Sequence, residues 1–210
     1  MIRILLADDH TIFRKGIKKI LENETDLTVI KETSSGRETV DYVIADSCDV
    51  VLLDLSLPDT PGLDVLKQIK YARPDISVII LSMHSDEQYG LRALKAGASG
   101  YLTKECEIDE LIEAVRKAYN GGVYCSSRLT KLLAYSFYGK NGAAPQEILS
   151  DREFQILVLL ASGARIKTIA ENLGLSPKTV STYRCRLLEK LNLKTNEQLN
   201  AYARHHGLLD

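Results

Sequence analysis

Apolar residues follow two alternating rhythms over the first 121 positions. Short strand-like runs occur at Ile2 to Ala7, Leu27 to Glu32, Val50 to Asp54, Ser77 to Ser82 and Gly100 to Thr103. Runs of this length, rich in β-branched side chains, predict strands buried on both faces of a parallel sheet. Between them, apolar residues recur at helical spacing. The stripes are Ile12, Phe13, Gly16, Ile17, Ile20 and Leu21; Val40, Val43 and Ile44; Leu63, Leu66 and Ile69; Leu91, Leu94 and Lys95; and Ile108, Leu111, Ile112 and Val115. Five β-α units in about 120 residues predict an α/β, doubly wound, five-stranded parallel sheet with helices on both faces.

The rhythm then changes. Gly121-Gly122 closes the first domain, residues 1–121. Residues 122–146 read as a linker with a short helix. Arg128 to Tyr138 carries Leu129, Leu132, Leu133 and Phe137 on one side, and Gly139 to Gln146 has linker composition. Residues 147–210 are purely helical in pattern. Ser150-Asp151-Arg152-Glu153 is a capping box opening a helix to Leu160, with Gly163 as its C-cap. Lys167 to Leu173 is a short helix closed by Gly174. Ser176-Pro177 opens a third helix to about Leu191. Thr195-Asn196-Glu197-Gln198 reads as a second capping box, and its helix stops at Gly207. Helix, short helix, glycine turn, helix is the order of an all-α, four-helix helix-turn-helix domain.

Composition narrows the class. The apolar fraction of 45% suits a globular protein. No apolar stretch is long enough to span a membrane. The chain starts directly on a strand without a signal-peptide layout, which predicts a cytoplasmic protein. Cys48, Cys106, Cys125 and Cys185 are scattered, with no CxxC pair, so free thiols are expected rather than a zinc site. Net charge is −1 for the chain but −6 for residues 1–121, +3 for 122–146 and +2 for 147–210. The acidic part suits a metal site, and the basic remainder suits an anionic partner.

The charged residues that end the apolar runs carry the chemistry. Ala7-Asp8-Asp9-His10 follows the first run, Asp54 ends the third, and Lys104 follows the fifth. In open parallel sheets the ligand crevice lies at the carboxyl ends of the strands. Asp8, Asp9, Asp54 and Lys104 are therefore expected to meet. Three crowded carboxylates repel unless a cation joins them, and oxygen ligands suit a hard divalent ion, Mg²⁺. A carboxylate beside Mg²⁺ and a lysine can receive a phosphoryl group.

With these motifs placed, the chain resembles the two-component response regulators of the LuxR/NarL family. The first half matches through Asp8-Asp9, Asp54, Leu57-Pro58, Gly62, Ser82, Tyr101 and Lys104. The second half matches through Leu149 to Glu153, Ile169-Ala170, Ser176 to Val180 and Leu188 to Leu191. The resemblance implies a flavodoxin/CheY-like receiver of strand order 2-1-3-4-5. It implies that a histidine kinase phosphorylates Asp54, with Mg²⁺ held by Asp9, Asp54 and the Ser56 backbone carbonyl and by Asp8 through water. Lys104 would pair with a phosphoryl oxygen. Ser82 would be the switch hydroxyl, with Tyr101 turning inward behind it. Ser56 and His84 would control water access. His10 is expected only to start a helix. Glu105 stands where the family commonly has Pro, which leaves the geometry of the Lys104–Glu105 bond open.

For the second half the resemblance implies binding of double-stranded promoter DNA and a homodimer when phosphorylated, with no membrane partner. The third helix fits a major groove. Lys178, Thr179, Arg184 and Arg186 are candidates mainly for phosphates, and Ser181, Thr182 and Cys185 for base edges. The last helix is the expected dimerising element, and Asn196 stands where the family often has Arg. Unphosphorylated, the receiver is expected to cover the third helix. Two enzyme-like or cofactor readings fit less well. An aspartyl-nucleophile phosphatase would want Asp two residues after Asp54, where Ser56 stands. A flavin carrier would want a Gly/Ser/Thr-rich phosphate loop after the first strand. A C-terminal half acting through protein interaction is the alternative to DNA binding.

Overall fold

Five strands form where the apolar runs predict them: β1 (Ile2–Ala7), β2 (Leu27–Thr33), β3 (Val50–Leu53), β4 (Ser77–Ser82) and β5 (Gly100–Thr103). They pair in parallel in the order β2-β1-β3-β4-β5. The computed structural model describes residues 1–138 and 148–209. It divides into two units, Met1–Phe137 and Tyr138–Asp210.

The register sets the functional edge. Ala7 lies opposite Leu53, Leu53 opposite Ile80, and Ser82 opposite Thr103. The chain therefore leaves β1, β3 and β5 along one rim. Ile4, Leu5, Leu6 and Val50 to Leu53 are all fully buried, as expected when both faces of a sheet are covered. The covering helices are α1 (Thr11–Leu21), α2 (Gly36–Ala45), α3 (Gly62–Ala72), α4 (Asp86–Lys95) and α5 (Ile108–Tyr119). Ile17 and Leu21 of α1 share one core with Leu111, Ile112 and Val115 of α5 and with Ile4, Leu52 and Ile79 of the sheet.

Three residues counted into the helical stripes are exposed. Ile12 is 89% exposed, Ile44 60% and Ile108 51%. Ile12 sits about 140° around the helix from Ile17 at 100° per residue, so it faces away from the sheet. Ile44 and Ile108 lie at helix ends, beyond the reach of the core.

The next helix, α6 (Ser127–Tyr138), follows directly on the α/β unit. Ser126 starts it: its hydroxyl accepts from the Leu129 N–H (3.0 Å) and donates to Asp86 on α4. Leu129 is fully buried. A Cβ at Gly90 of α4 would lie 2.8 Å from a Leu129 methyl, so the glycine is what lets α6 approach. The predicted linker segment 139–146 lies outside the described residues.

The second unit holds four helices: α7 (Asp151–Ala161), α8 (Ile166–Asn172), α9 (Pro177–Lys190) and α10 (Asn196–His205). The Ser150/Glu153 capping box forms as predicted, and Ser176 caps α9 ahead of Pro177. Gly174 takes φ +61°, which turns the chain from α8 into α9. At α10 the Thr195 hydroxyl accepts from the Gln198 N–H (3.3 Å), but the Gln198 side chain reaches past it to the Lys194 N–H (2.7 Å). The reciprocal box expected there does not close. Phe154, Leu157, Ile169, Val180, Leu187 and Leu199 make the fully buried core. All four cysteines are free thiols. Among the described residues, no helix is long and apolar enough to cross a membrane.

Candidate functional site

Asp8, Asp54 and Lys104 are each the first residue after a strand, and the sheet register brings them together. The ladder continues one step past the strands: the Asp54 N–H donates to Ala7 O (2.9 Å), Asp8 N–H to Thr33 O (3.1 Å), and Lys104 N–H to Ser82 O (2.8 Å). The Lys104 ammonium lies 2.6 Å from Asp8 Oδ2 and 2.7 Å from Asp54 Oδ2. All three side chains are at most 3% exposed. The other oxygens accept backbone N–H groups, Asp54 Oδ1 from Ser56 (3.1 Å) and Asp8 Oδ1 from His10 (2.7 Å). Gly62 closes the loop after β3; a Cβ there would strike the Asp54 carbonyl oxygen and the Leu55 Cα.

One ammonium serves two buried carboxylates. Burial pushes the Asp54 carboxyl above its ordinary value, against the pull of Lys104. Asp9 is exposed and completes the cluster. One ligand atom from each of Asp8, Asp9, His10 and Asp54 lies within 4.8 Å of the others. His10 is thus more than a helix start: its Nδ1 is 2.8 Å from Asp9 Oδ1 and 3.3 Å from Asp8 Oδ1. Its place next to Asp8-Asp9 was the available signal.

Ser82 is buried at the end of β4, and its hydroxyl accepts from the His84 N–H (3.2 Å). Tyr101 is 1% exposed, and its hydroxyl donates to the His84 carbonyl (2.8 Å). Burial raises the Tyr101 phenol well above its usual range and lowers the His84 imidazole below its own. Both stay neutral near pH 7. The Ser56 side chain is exposed, and its backbone N–H faces Asp54. The Lys104–Glu105 peptide bond is trans.

In the second unit α9 presents Lys178, Thr182, Cys185 and Arg186 exposed, with Thr179, Ser181 and Arg184 half-buried. Ser176, Lys178, Thr179, Thr182, Tyr183 and Arg186 line one shallow cleft. The Ser181 hydroxyl donates to Pro177 O (2.9 Å) and the Thr182 hydroxyl to Lys178 O (3.0 Å), both one turn back along the helix. Arg184 is already engaged: its Nε donates to Asn196 Oδ1 at the start of α10 (2.8 Å). Asn196 therefore anchors α10 to α9 by accepting from an arginine.

A doubly wound sheet with three acids and a lysine at its carboxyl rim, followed by a helix-turn-helix unit, defines a receiver joined to a helical reader. Residues 4–116 match the family model of the response regulator receiver domain. Residues 147–203 match that of bacterial regulatory proteins of the luxR family. The chain is 37% identical over 209 residues to the response regulator UvrY of Escherichia coli O6:H1, covering 99% of this chain and 96% of that protein. It is 34% identical over 211 residues to the response regulator GacA of Pseudomonas aeruginosa, covering 100% and 99%. Among solved structures, RcsB from Salmonella enterica serovar Typhimurium, bound to promoter rprA in the presence of the phosphomimetic BeF3−, is similar with 27% identity and a TM-score of 0.67. That match covers 96% of this chain and 97% of RcsB. The chain belongs to the two-component response regulators that carry a luxR-family DNA-binding domain, a family of transcription regulators.

Proposed function

We propose that Asp54 accepts a phosphoryl group from a histidine kinase and that this modification switches promoter binding by the C-terminal unit. The observation that carries the reading is the buried Asp8–Lys104–Asp54 contact, with one cation shared by two acids beside Asp9. An Asp54 carboxylate oxygen attacks the phosphorus of a phosphohistidine. The P–N bond breaks, its electron pair stays on the imidazole, and Asp54 becomes an acyl phosphate. The Lys104 ammonium pairs with a phosphoryl oxygen. The oxygen-rich donor set fits Mg²⁺, which Asp9, Asp54 and the Ser56 carbonyl would hold, with Asp8 acting through water. When bound, Mg²⁺ supplies neutralisation of phosphoryl charge. The Ser82 hydroxyl, buried next to the rim, then answers the new charge, and Tyr101 behind it is the second element of the switch.

The DNA reading rests on α9. Lys178, Thr179, Arg184 and Arg186 are assigned to phosphates, and Ser181, Thr182 and Cys185 to base edges. A phosphorylated homodimer on double-stranded DNA, in the cytoplasm, completes the proposal; in one solved structure two RcsB dimers are bound to two parallel DNAs. The test is incubation with acetyl phosphate and Mg²⁺, followed by DNA mobility shift. Parent protein should gain DNA affinity and dimerise, and Asp54→Asn should do neither. A parent that takes up phosphate without gaining either would sink the switch. DNA binding whose affinity does not fall with salt would favour a protein-interaction role for the C-terminal unit.

A further inference from the structure

The Asp8–Asp9 loop has a second cation beside it, on the α1 side, that no role described so far uses. The Arg14 guanidinium donates through Nη1 to the Asp8 backbone carbonyl and through Nε to Glu32 Oε2 on β2 (3.2 Å). The Arg14 side chain is 15% exposed. Glu32 is held in turn by Lys18 of the same helix, whose ammonium lies 2.9 Å from Oε1. That ammonium and Arg14 together keep the Glu32 carboxyl below its ordinary value, despite the burial that opposes them. The preceding Ala7–Asp8 peptide is fixed separately, by the Asp8 N–H, which donates to Thr33 O (3.1 Å). The carbonyl that Arg14 holds belongs to the Asp8–Asp9 peptide. The plane of that peptide fixes where the Asp9 chain leaves and so where its carboxylate can point.

We infer that Arg14 is a positioning residue for the Mg²⁺ site: it locks the Asp8–Asp9 peptide plane with the Asp8 carbonyl turned to α1 and Asp9 free to face the cluster. This rests on the reading of Asp8, Asp9 and Asp54 as the metal-holding acids. Two features favour a positioning role over simple adhesion of α1 to β2. Both Arg14 and Lys18 bond Glu32, but among the described residues only Arg14 also bonds the acid loop, so a change at Lys18 perturbs adhesion alone. A planar guanidinium can also serve a carbonyl and a carboxylate at once from two edges, which an ammonium does poorly.

The test is calorimetric titration of the full chain with MgCl₂, on parent, Arg14→Met, Arg14→Lys and Lys18→Met, with unfolding midpoints of the metal-free proteins measured alongside. Loss of an outer partner of a metal ligand weakens binding by about tenfold or more. Arg14→Met should lose about tenfold in Mg²⁺ affinity. Lys18→Met, which also breaks a Glu32 pair, should stay within about twofold of the parent. Arg14→Lys, the gentler change, should fall between them and keeps the inference testable if Arg14→Met fails to fold. Phosphorylation by acetyl phosphate should be slow in Arg14→Lys at low Mg²⁺ and recover at saturating Mg²⁺, a pattern that general destabilisation would not produce. Arg14→Lys binding as tightly as the parent, or Lys18→Met weakening as much as Arg14→Met, would overturn the inference. A parent that takes up no Mg²⁺ would instead refute the metal reading beneath it.

Discussion

Asp54 and Glu153 are both buried carboxylates facing a lysine, one in each unit, and their surroundings act in opposite directions. Around Asp54 a single ammonium is divided between two acids, and burial wins: the carboxyl is pushed up. Burial also pushes Glu153 up, but here the neighbours outweigh it. Glu153 Oε2 lies 2.6 Å from Lys190 and accepts the Ser150 N–H and hydroxyl at 2.9 Å each, so its carboxyl is held below the ordinary range. Glu153 has all the donors it needs and staples the start of α7 to the end of α9. Asp54 has fewer than it needs, and a further cation or a phosphoryl group has something to gain there. Burial and a nearby lysine do not set the direction in which a carboxyl shifts; the ratio of donors to acids does.

Removing the cation from each site should give the widest contrast. Lys104→Met leaves two buried carboxylates unpaired and should cost about 3–5 kcal/mol in urea unfolding at pH 7. Lys190→Met leaves Glu153 with both Ser150 bonds and removes a lysine that is 42% exposed, so about 1 kcal/mol is expected. Equal costs would erase the distinction drawn between the two acids. Asp54→Asn relieves the crowded pair and should stabilise the metal-free protein by about 1 kcal/mol, a fraction of the bare Coulomb repulsion because Lys104 is shared. A destabilised Asp54→Asn would show instead that Lys104 already satisfies the site. On α9, Arg186→Met should lower the slope of log affinity against log salt by about one, whereas Arg184→Met should act first through the loss of its bond to Asn196. The smallest effect is on pH. A carboxyl whose folded pKa is raised adds stability that is present below its unfolded pKa and lost as pH rises through the folded one. Acidification from pH 7 should therefore narrow the gap between the parent and Asp54→Asn. For Glu153 the sign reverses, and its contribution is lost only as pH falls below the ordinary glutamate range.

The strand order and the meeting of Asp8, Asp54 and Lys104 were legible because both follow from few rules. Five short apolar-rich runs alternating with helical stripes point to a parallel sheet, and in a parallel sheet the residues that follow the strands lie along one rim. The helical stripes were less legible. Ile12 and Ile108 are apolar and at helical spacing from their stripe neighbours, but spacing alone does not say how far around the helix, or how near its end, the core extends. Long side chains were the least legible. Arg14 is six residues from Asp8, and nothing in its neighbourhood indicates that it folds back on a backbone carbonyl. Arg184 looked like a free cation on a reading helix until Asn196, twelve positions on, was brought beside it. His10 was visible in the sequence but undervalued, because a residue at the start of a helix has a sufficient structural role already.

The two hydroxyls of α9 have lost a degree of chemical freedom. Ser181 and Thr182 spend their protons on carbonyls one turn behind them, so only lone pairs remain on offer. In a major groove such an oxygen can greet the exocyclic amino groups of adenine and cytosine but has nothing to give guanine O6 or thymine O4. Under the proposed role of Ser181 and Thr182 at base edges, a preference for one edge of a base pair would begin inside the protein, before any duplex arrives.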